Sequence, residues 1–141
     1  MRVMILIKAD KNTEAGVPPS EQLLTDMMNF NEELVSAGVM QNGDGLTPTS
    51  QGARVHFTKD GHTVEKGPFP EPGQLICGFW LWTVDSLDDA IAWVKKCPFP
   101  LEDQAELEIR PLYEMEDFGD AVTPEVAEQH DRLLSKTQSA A

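Results

Sequence analysis

Apolar side chains alternate along Leu75–Val84 in a pattern that predicts a central β-strand. Successive side chains of a strand point to opposite faces. One face therefore carries Phe79 and Leu81, and the other carries Trp80 and Trp82. A strand that is apolar on both faces must be covered on both faces, so it belongs at the centre of a sheet.

The segment that follows, residues 86–96, has the pattern of an amphipathic helix. Ser86 with Asp89 three residues later is typical of a capped helix start, and Pro98 ends the segment. The apolar positions repeat at the spacing of one helix face, at Leu87, Ala90, Ile91 and Val94. We therefore expect this helix to cover one face of the sheet.

The N-terminal part repeats the order of strand and helix. Val3–Lys8 is apolar on both faces and predicts a second central strand. After an expected loop over residues 10–17, residues 18–20 open a helix that ends near Gly38. Its apolar stripe consists of Leu23, Met27, Phe30, Leu34 and Ala37. Residues 39–48 are rich in glycine and polar side chains, which weakens a strand prediction and leaves an irregular or bulged strand as the alternative.

Residues 53–66 have the signature of a β-hairpin with Asp60 and Gly61 as its two-residue turn. This turn predicts a register in which these residues face each other: Lys59 and His62, Thr58 and Thr63, Phe57 and Val64, His56 and Glu65. One hairpin face is then apolar and is expected to lie toward the core, with Val55, Phe57 and Val64. The other face is polar, with Arg54, His56, Thr58, Thr63 and Glu65.

A last strand is predicted over residues 106–113. Leu107 and Ile109 alternate there with Glu108 and Arg110, which is typical of a half-buried strand. We expect the two apolar side chains to face the core and the two charged ones to face outward.

The C-terminal region is acidic at first and then polar. A polar loop is expected at residues 99–105, a last helix is predicted to start at residues 123–125, and the tail 135–141 is expected to fray. We divide the chain into an α+β domain, residues 1–120, and an acidic-to-polar C-terminal extension that is partly helical, residues 121–141.

The predicted order is strand, helix, hairpin region, strand, helix, strand, with the hairpin supplying one or two strands of the sheet. This is the split βαβ pattern of the ferredoxin-like α+β folds. Two helices can cover only one face of the sheet, so the second face needs a partner. A second copy of the chain is the simplest partner, which predicts a homodimer.

Composition narrows the classes of partner. The 141-residue chain has the length of one ordinary domain, and its net charge of −13 argues against nucleic acid as a direct partner. Cys77 and Cys97 do not form a disulfide framework, which favours a reducing compartment. The apolar run MRVMILIK is too short for a signal peptide or a membrane span, so we expect a soluble, cytoplasmic protein without a membrane partner.

A series of short motifs follows one another along the chain. They are FNEELVSAG at 30–38, GDGL at 43–46, GARVHF at 52–57, KGPFPE at 66–71, GFW at 78–80, VDSLDDAIAWVKKCP at 84–98 and EIRPLYEMEDFG at 108–119. In this order they resemble the YCII-related proteins of the DGPF-domain type, over roughly residues 1–120. The resemblance implies a dimeric α+β barrel in which two ferredoxin-like sheets face each other, mostly in bacteria and without an established general activity. Some relatives are enzymes, including a dehydrochlorinase-like branch, and muconolactone isomerases share the barrel.

Two positions depart from the family pattern. Lys66 stands where the motif has its eponymous Asp, ahead of Gly67, Pro68 and Phe69. Met27 stands where the branch with a proposed His and Asp pair has its His. That catalytic pair is therefore not carried over to this chain.

His56 and Glu65 are the candidate catalytic pair, because the predicted register places them opposite each other. A carboxylate beside an imidazole favours the protonated ring, and such a pair can transfer a proton near neutral pH. Arg54 on the same face would hold an anionic substrate. The alternative is a solvated cross-strand pair that has no chemical role.

The candidate ligand-binding residues are Arg54, Glu71, Trp80, Trp82 and Arg110. The two tryptophans either line a cavity for an apolar molecule or fill the core or a dimer interface. Arg110 either binds a ligand carboxylate or, like Glu71, anchors a loop. The spacing of the histidines and cysteines predicts no metal site, and the sequence implies no cofactor.

We expect a small-molecule-binding protein or enzyme that uses a cleft of the dimeric α+β barrel, between sheet and helices. A small organic or aromatic acid is the expected ligand. The alternative is a protein-interaction or regulatory module, which the acidic surface favours. Sequences that resemble this one often occur beside sigma-factor genes, and that association links the alternative to transcription control.

Overall fold

The computed structural model describes residues 1–99 and 105–139, which divide into two units, Met1–Pro111 and Leu112–Ala141. The strands and helices of the first unit are β1 (Arg2–Lys8), α1 (Lys11–Glu14), α2 (Glu21–Ser36), β2 (Met40–Gly45), β3 (Ala53–Thr58), β4 (Gly61–Lys66), β5 (Ile76–Thr83), α3 (Leu87–Val94) and β6 (Leu107–Pro111). The second unit contains a 3₁₀ segment, Met115–Ala121, and α4 (Pro124–Ser139).

The main sheet has four strands in the order β2-β5-β1-β6, and every neighbouring pair is antiparallel. The two strands at its centre are β5 and β1, which are the strands that the sequence shows to be apolar on both faces. This order agrees with the split βαβ pattern, and the α+β class is confirmed.

The helices cover one face of this sheet. Val3 and Ile5 from β1 and Trp80 and Trp82 from β5 form a buried cluster there. The side chains that α2 and α3 add to the cluster are Phe30, Leu34 and Ala90. This cluster is the main core of the first unit.

The opposite face, which we call the second sheet face, is defined by Met4, Leu6, Phe79 and Leu81. Met4 pairs with Leu81 and Leu6 pairs with Phe79 across the two central strands. Because side chains alternate along a strand, these four point away from the helix-covered core. All four are only partly buried. The predicted division of apolar residues between the two sheet faces is therefore confirmed.

Hydroxyl side chains cap both long helices of the first unit. Ser20 Oγ accepts a hydrogen bond from Leu23 N, and Ser86 Oγ accepts one from Asp89 N. Gly38 follows α2 with a φ of +73°, a conformation that favours glycine. The predicted bounds of these helices differ from the observed ones by at most a few residues.

Two segments that were not predicted as regular elements are ordered by specific contacts. The loop expected at residues 10–17 contains the short helix α1, because Asp10 and Thr13 form a reciprocal capping box. The glycine-rich segment after α2 forms edge strand β2, with a register irregularity between Met40 and Asn42. The bulged-strand alternative for residues 39–48 is thus the correct one.

The hairpin differs from its prediction in two ways. β3 and β4 form a separate two-stranded sheet and supply no strand to the main sheet. The face expected to lie toward the core is exposed, since every residue of both strands is exposed. The edge position of the main sheet beside β5, which the hairpin was expected to fill, is taken by β2.

The register of the hairpin is also shifted from the predicted one. Thr58 pairs with Gly61, and His56 pairs with Thr63, so Lys59 and Asp60 form the turn. Among the residues that the structure describes, only glycines have a positive φ, so the Lys59–Asp60 turn is not the primed turn that Asp-Gly favours. The shift is two residues, and the predicted composition of each hairpin face is therefore preserved.

The last strand and the C-terminal helix are present. Leu107 and Ile109 of β6 pack against the main core cluster, as predicted. Helix α4 extends to Ser139, so the fraying expected from residue 135 onward is wrong for residues 135–139. Most of the loop expected at residues 99–105 lies outside the described residues, as do residues 140 and 141. In the part of the chain that is described, no helix is long and apolar enough to cross a membrane.

Candidate functional site

The hairpin brings three of the predicted site residues together on its polar face. His56 Nε2 lies 2.9 Å from Glu65 Oε2, although the two residues are diagonal neighbours rather than register partners. Glu65 faces Arg54 directly in the register. About half of the His56 and Glu65 side-chain surface is exposed, 51% and 48% respectively. The pair therefore forms at a solvent-accessible surface.

Arg54 does not use its guanidinium on Glu65 in this structure. The guanidinium carbon lies 3.8 Å from the centroid of the Phe69 ring, a cation–π contact. Phe69 is buried in a small cluster with Ala9 and Leu75. Arg54 thus joins the polar face of the hairpin to the loop that follows it.

The start of that loop is fixed by close backbone contacts. Gly67 N donates to Gly52 O at 3.0 Å, and Phe69 N donates to the Thr49 hydroxyl at 3.0 Å. The carboxylate of Glu14 accepts hydrogen bonds from Thr49 N and Thr49 Oγ1 at 3.0 and 2.7 Å. These bonds join the two ends of the hairpin to each other and tie the loop after it, through Thr49, to Glu14 of α1.

A second group of charged side chains lies on the second sheet face. Glu108 accepts a hydrogen bond from Arg110 Nη1 at 3.3 Å, and its other carboxylate oxygen lies 3.5 Å from Lys8 Nζ. The hydrogen bond from Arg110 and the positive charge of Lys8 lower the pKa of Glu108. Glu108 pairs with Leu6, and Arg110 pairs with Met4, so the charged group adjoins the apolar side chains of this face.

The predicted tryptophans lie in the core. Trp80 is 4% exposed and donates its Nε1–H to Asn31 Oδ1 at 3.0 Å. Trp82 is fully buried, and its Nε1 has no hydrogen-bond partner among the described residues. Both indoles pack edge-on against Phe30. This position agrees with the core-filling interpretation, and their low exposure does not support a ligand contact.

Glu71 is exposed in the loop between β4 and β5, where its backbone carbonyl accepts a hydrogen bond from Gln74 N at 2.9 Å. The structure does not bring it together with the hairpin pair or with Arg110 through any described side-chain contact. Its binding role stays a prediction.

Both cysteines are free thiols with a raised pKa. Burial raises the pKa of Cys97 to about 12. Burial is also the main cause of the raised pKa of Cys77, and the nearby charge of Asp10 adds to it. A thiol with a raised pKa is a poor nucleophile at neutral pH, which agrees with the interpretation of Cys77 as a packing residue.

A cavity of about 430 Å³ lies between the end of α2 and helix α3. Val39, Asp85, Asp89, Trp93 and Lys96 are among its lining residues, and none of the predicted site residues is. The space directly between the sheet and the helices is instead filled by the aromatic core. Among residues 1–99 and 105–139, no group of three or more His, Cys, Asp or Glu side chains is placed to hold a metal ion.

Comparison with known proteins identifies the family. The sequence pattern of the YCII-related domain matches residues 1–116. The chain belongs to the YCII-related family. It is also similar to an uncharacterised protein of Rhizobium meliloti (strain 1021), with 27% identity over 92 residues that cover 65% of this chain and 74% of that protein.

The Gly-Pro-Phe segment, residues 67–69, has a structural role in this chain. The backbone at Gly67 lies against the carbonyl oxygen of Thr49, and the Gly67–Pro68 peptide bond is cis. The ring of Phe69 contacts Arg54. Lys66, which precedes them, pairs with Ala53 at the base of the hairpin. The segment therefore positions the polar face of the hairpin.

Lys8 and Glu108 are site residues that the sequence pattern does not single out. The alternation that sends Glu108 and Arg110 outward is visible in the sequence, and so is the cationic end of β1. What the sequence does not give is the register of β1 against β6, which places Glu108 beside Leu6 and within reach of Lys8.

Proposed function

We propose that this YCII-related protein is a small-molecule-binding protein or enzyme that uses a cleft of a dimeric α+β barrel. The observation that carries the proposal is the second sheet face. Its central apolar side chains, Met4, Leu6, Phe79 and Leu81, remain partly exposed while α2 and α3 cover the opposite face. If two copies bring these faces together, each Å² of apolar area that they bury stabilises the dimer by about 25 cal/mol.

The charged group at the rim of this face favours an anionic ligand. Arg110 is 69% exposed at its side chain and Lys8 is 19% exposed, and both contact the single carboxylate of Glu108. One carboxylate against two cations leaves a local positive charge in a chain whose net charge is −13. A small organic or aromatic acid could place its carboxylate at Arg110 and its apolar part over Leu6 and Phe79.

The hairpin pair is the candidate for chemistry in this proposal. His56 and Glu65 are in hydrogen-bond contact, and an imidazole held by a carboxylate has the geometry of a proton-transfer pair. Arg54 belongs to the same face. The catalytic role rests on this geometry alone.

The experiment has two parts. Light scattering at micromolar concentration should give the mass of a dimer, and a melting screen with aromatic and muconate-like acids should show stabilisation that grows with ligand concentration. Arg110→Gln should abolish the ligand-dependent shift, whereas Arg132→Gln on α4 should leave it unchanged. A monomer that no acid stabilises would overturn the proposal.

The alternative function is a protein-interaction or regulatory module linked to transcription control. It is favoured by helix α4, where Val126, Leu133 and Leu134 are 43%, 54% and 43% exposed. Their spacing of seven and eight residues places them on one side of the helix. Retention of another protein by the wild-type chain, lost in Leu133→Ser and kept in Arg110→Gln, would favour this alternative.

A further inference from the structure

The β3–β4 hairpin exposes an apolar face that a small water-soluble hairpin does not ordinarily keep in solvent. Phe57 is 81% exposed, Val64 is 61% exposed and Val55 is 49% exposed. Val55 and Val64 are register partners, and Phe57 packs edge-on against its partner His62 at 6.2 Å between ring centroids. A contiguous apolar surface of this kind marks an interaction site.

The hairpin also lacks the usual means of stabilising two strands. β3 and β4 pair only with each other among the described strands, and all their residues are exposed. A two-stranded hairpin without packing on either face is marginally stable in water. Its base is nevertheless fixed, because Gly67 N bonds to Gly52 O and Arg54 lies over Phe69. An element that is anchored at its base and bare along its length is suited to packing against another molecule.

Charge indicates what that molecule is. The hairpin residues 53–66 contain Arg54, Lys59 and Lys66 against Asp60 and Glu65, which gives a net positive charge. The whole chain carries 11 Lys and Arg against 24 Asp and Glu. The hairpin of one copy is therefore complementary in charge to the body of another copy, and such complementarity fixes orientation and speeds association.

We propose that the hairpin is an arm that packs its Val55, Phe57 and Val64 face onto a second copy of this chain. The proposal rests on the dimer of the proposed function and adds to it the segment that each copy contributes. Successive side chains of a strand point to opposite faces, so packing through the apolar face leaves Arg54, His56 and Glu65 on the side away from the contact. The His56–Glu65 pair of each copy would then stay open to solvent on the outer side of the arm.

The test combines oligomeric state with amide exchange in the full chain. Phe57→Ser should raise the dimer dissociation constant about tenfold or more, because buried aromatic anchors dominate interface energies. Met28→Ser is the matched control: Met28 is 66% exposed on α2, outside the hairpin, and its loss should leave the constant unchanged. Thermal melting of both variants shows that each remains folded.

Hydrogen exchange supplies a second readout that does not depend on a substitution. Amides of residues 53–66 in the wild-type chain should become more protected as protein concentration rises through the dimerisation range. A dimer that forms normally in Phe57→Ser, or a hairpin that stays unprotected in the wild-type dimer, would overturn the arm and leave the dimer of the proposed function intact. A wild-type chain that is monomeric throughout would overturn both.

Discussion

Gly67 lies so close to the carbonyl oxygen of Thr49 that a Cβ atom built at position 67 would be 1.7 Å from that oxygen. Thr49 cannot retreat easily, because its backbone N–H and its hydroxyl both bond to the carboxylate of Glu14. The obstructing atom is backbone, so relief requires movement of the chain itself. Only glycine fits at this position.

Gly67→Ala should therefore lower the free energy of unfolding by about 3 kcal/mol, the upper end of the cost of inserting a methyl group into a filled space. Urea denaturation followed by tryptophan fluorescence measures this change. Gly73→Ala is the control, since a Cβ at position 73 would meet nothing within 4 Å. Equal stability of the two variants would show that the Thr49 segment adapts, contrary to the prediction.

The hairpin shows both what sequence patterns determine and where they fail. The predicted turn, Asp60–Gly61, lies one residue too far toward the C-terminus, because the turn is formed by Lys59 and Asp60. Gly61 begins the second strand, at a φ of +150°. The resulting register shift is two residues. Since side chains alternate with period two, His56 and Glu65 remain on one face and within contact distance.

Long-range pairing accounts for what could not be predicted. The apolar character of β1 and β5 on both faces was enough to place them at the sheet centre, because solvent exposure of either face is costly. No local pattern shows that Lys8 reaches Glu108, since the two lie on strands far apart in sequence. Likewise, the apolar positions of β3 and β4 predicted a buried face, but every residue of both strands is exposed. An alternating pattern shows that one face of a strand is apolar and does not show what covers it.

Asn31 should contribute to stability through one hydrogen bond to a buried indole. It accepts the Nε1–H of Trp80, whose side chain is almost entirely buried. Asn31→Leu removes the acceptor and leaves that donor unpaired, which should cost about 1–3 kcal/mol in the free energy of unfolding.

Asn29→Leu is the matched control for this change. Asn29 lies on the same helix and is exposed, so the substitution makes the same change in helix propensity without removing a described buried partner. Denaturant unfolding of both variants gives the comparison. A loss for Asn31→Leu no larger than that for Asn29→Leu would show that the Trp80 bond contributes nothing measurable.

Glu108 should titrate below the ordinary range of a glutamate. The hydrogen bond from Arg110 is the main cause of its lowered pKa, and the charge of Lys8 is the next. A lowered pKa in the folded state means that the stabilisation is present above the unfolded pKa and is lost as the pH falls through the folded pKa. Because Glu108 lies at the surface, the ion pairs are screened and their effect on stability is small.

An NMR titration of the Glu108 carboxyl carbon tests this directly. Arg110→Gln should move the pKa of Glu108 upward, toward the ordinary glutamate value, and Lys8→Gln should move it upward by less. Arg132→Gln, on helix α4, should leave it unchanged. If the pKa of Glu108 were the same in Arg110→Gln as in the wild type, the hydrogen bond seen at 3.3 Å would not be its cause.

Cys97 should be nearly inert toward alkylation while the chain is folded. Burial raises the pKa of Cys97 to about 12, and the side chain packs against the main core cluster. The thiolate is the reactive species, so a native thiol with this pKa reacts slowly at mildly alkaline pH, whereas the unfolded chain has an ordinary thiol that reacts quickly. The raised pKa also means that stability declines as the pH rises above the pKa of the unfolded thiol, because the unfolded chain ionises first.

Alkylation with iodoacetamide in buffer and in denaturant, followed by peptide mapping to separate Cys97 from Cys77, measures both thiols at once. A native rate for Cys97 equal to its rate in denaturant would mean that the thiol is accessible and that its burial at the end of α3 is not maintained in solution.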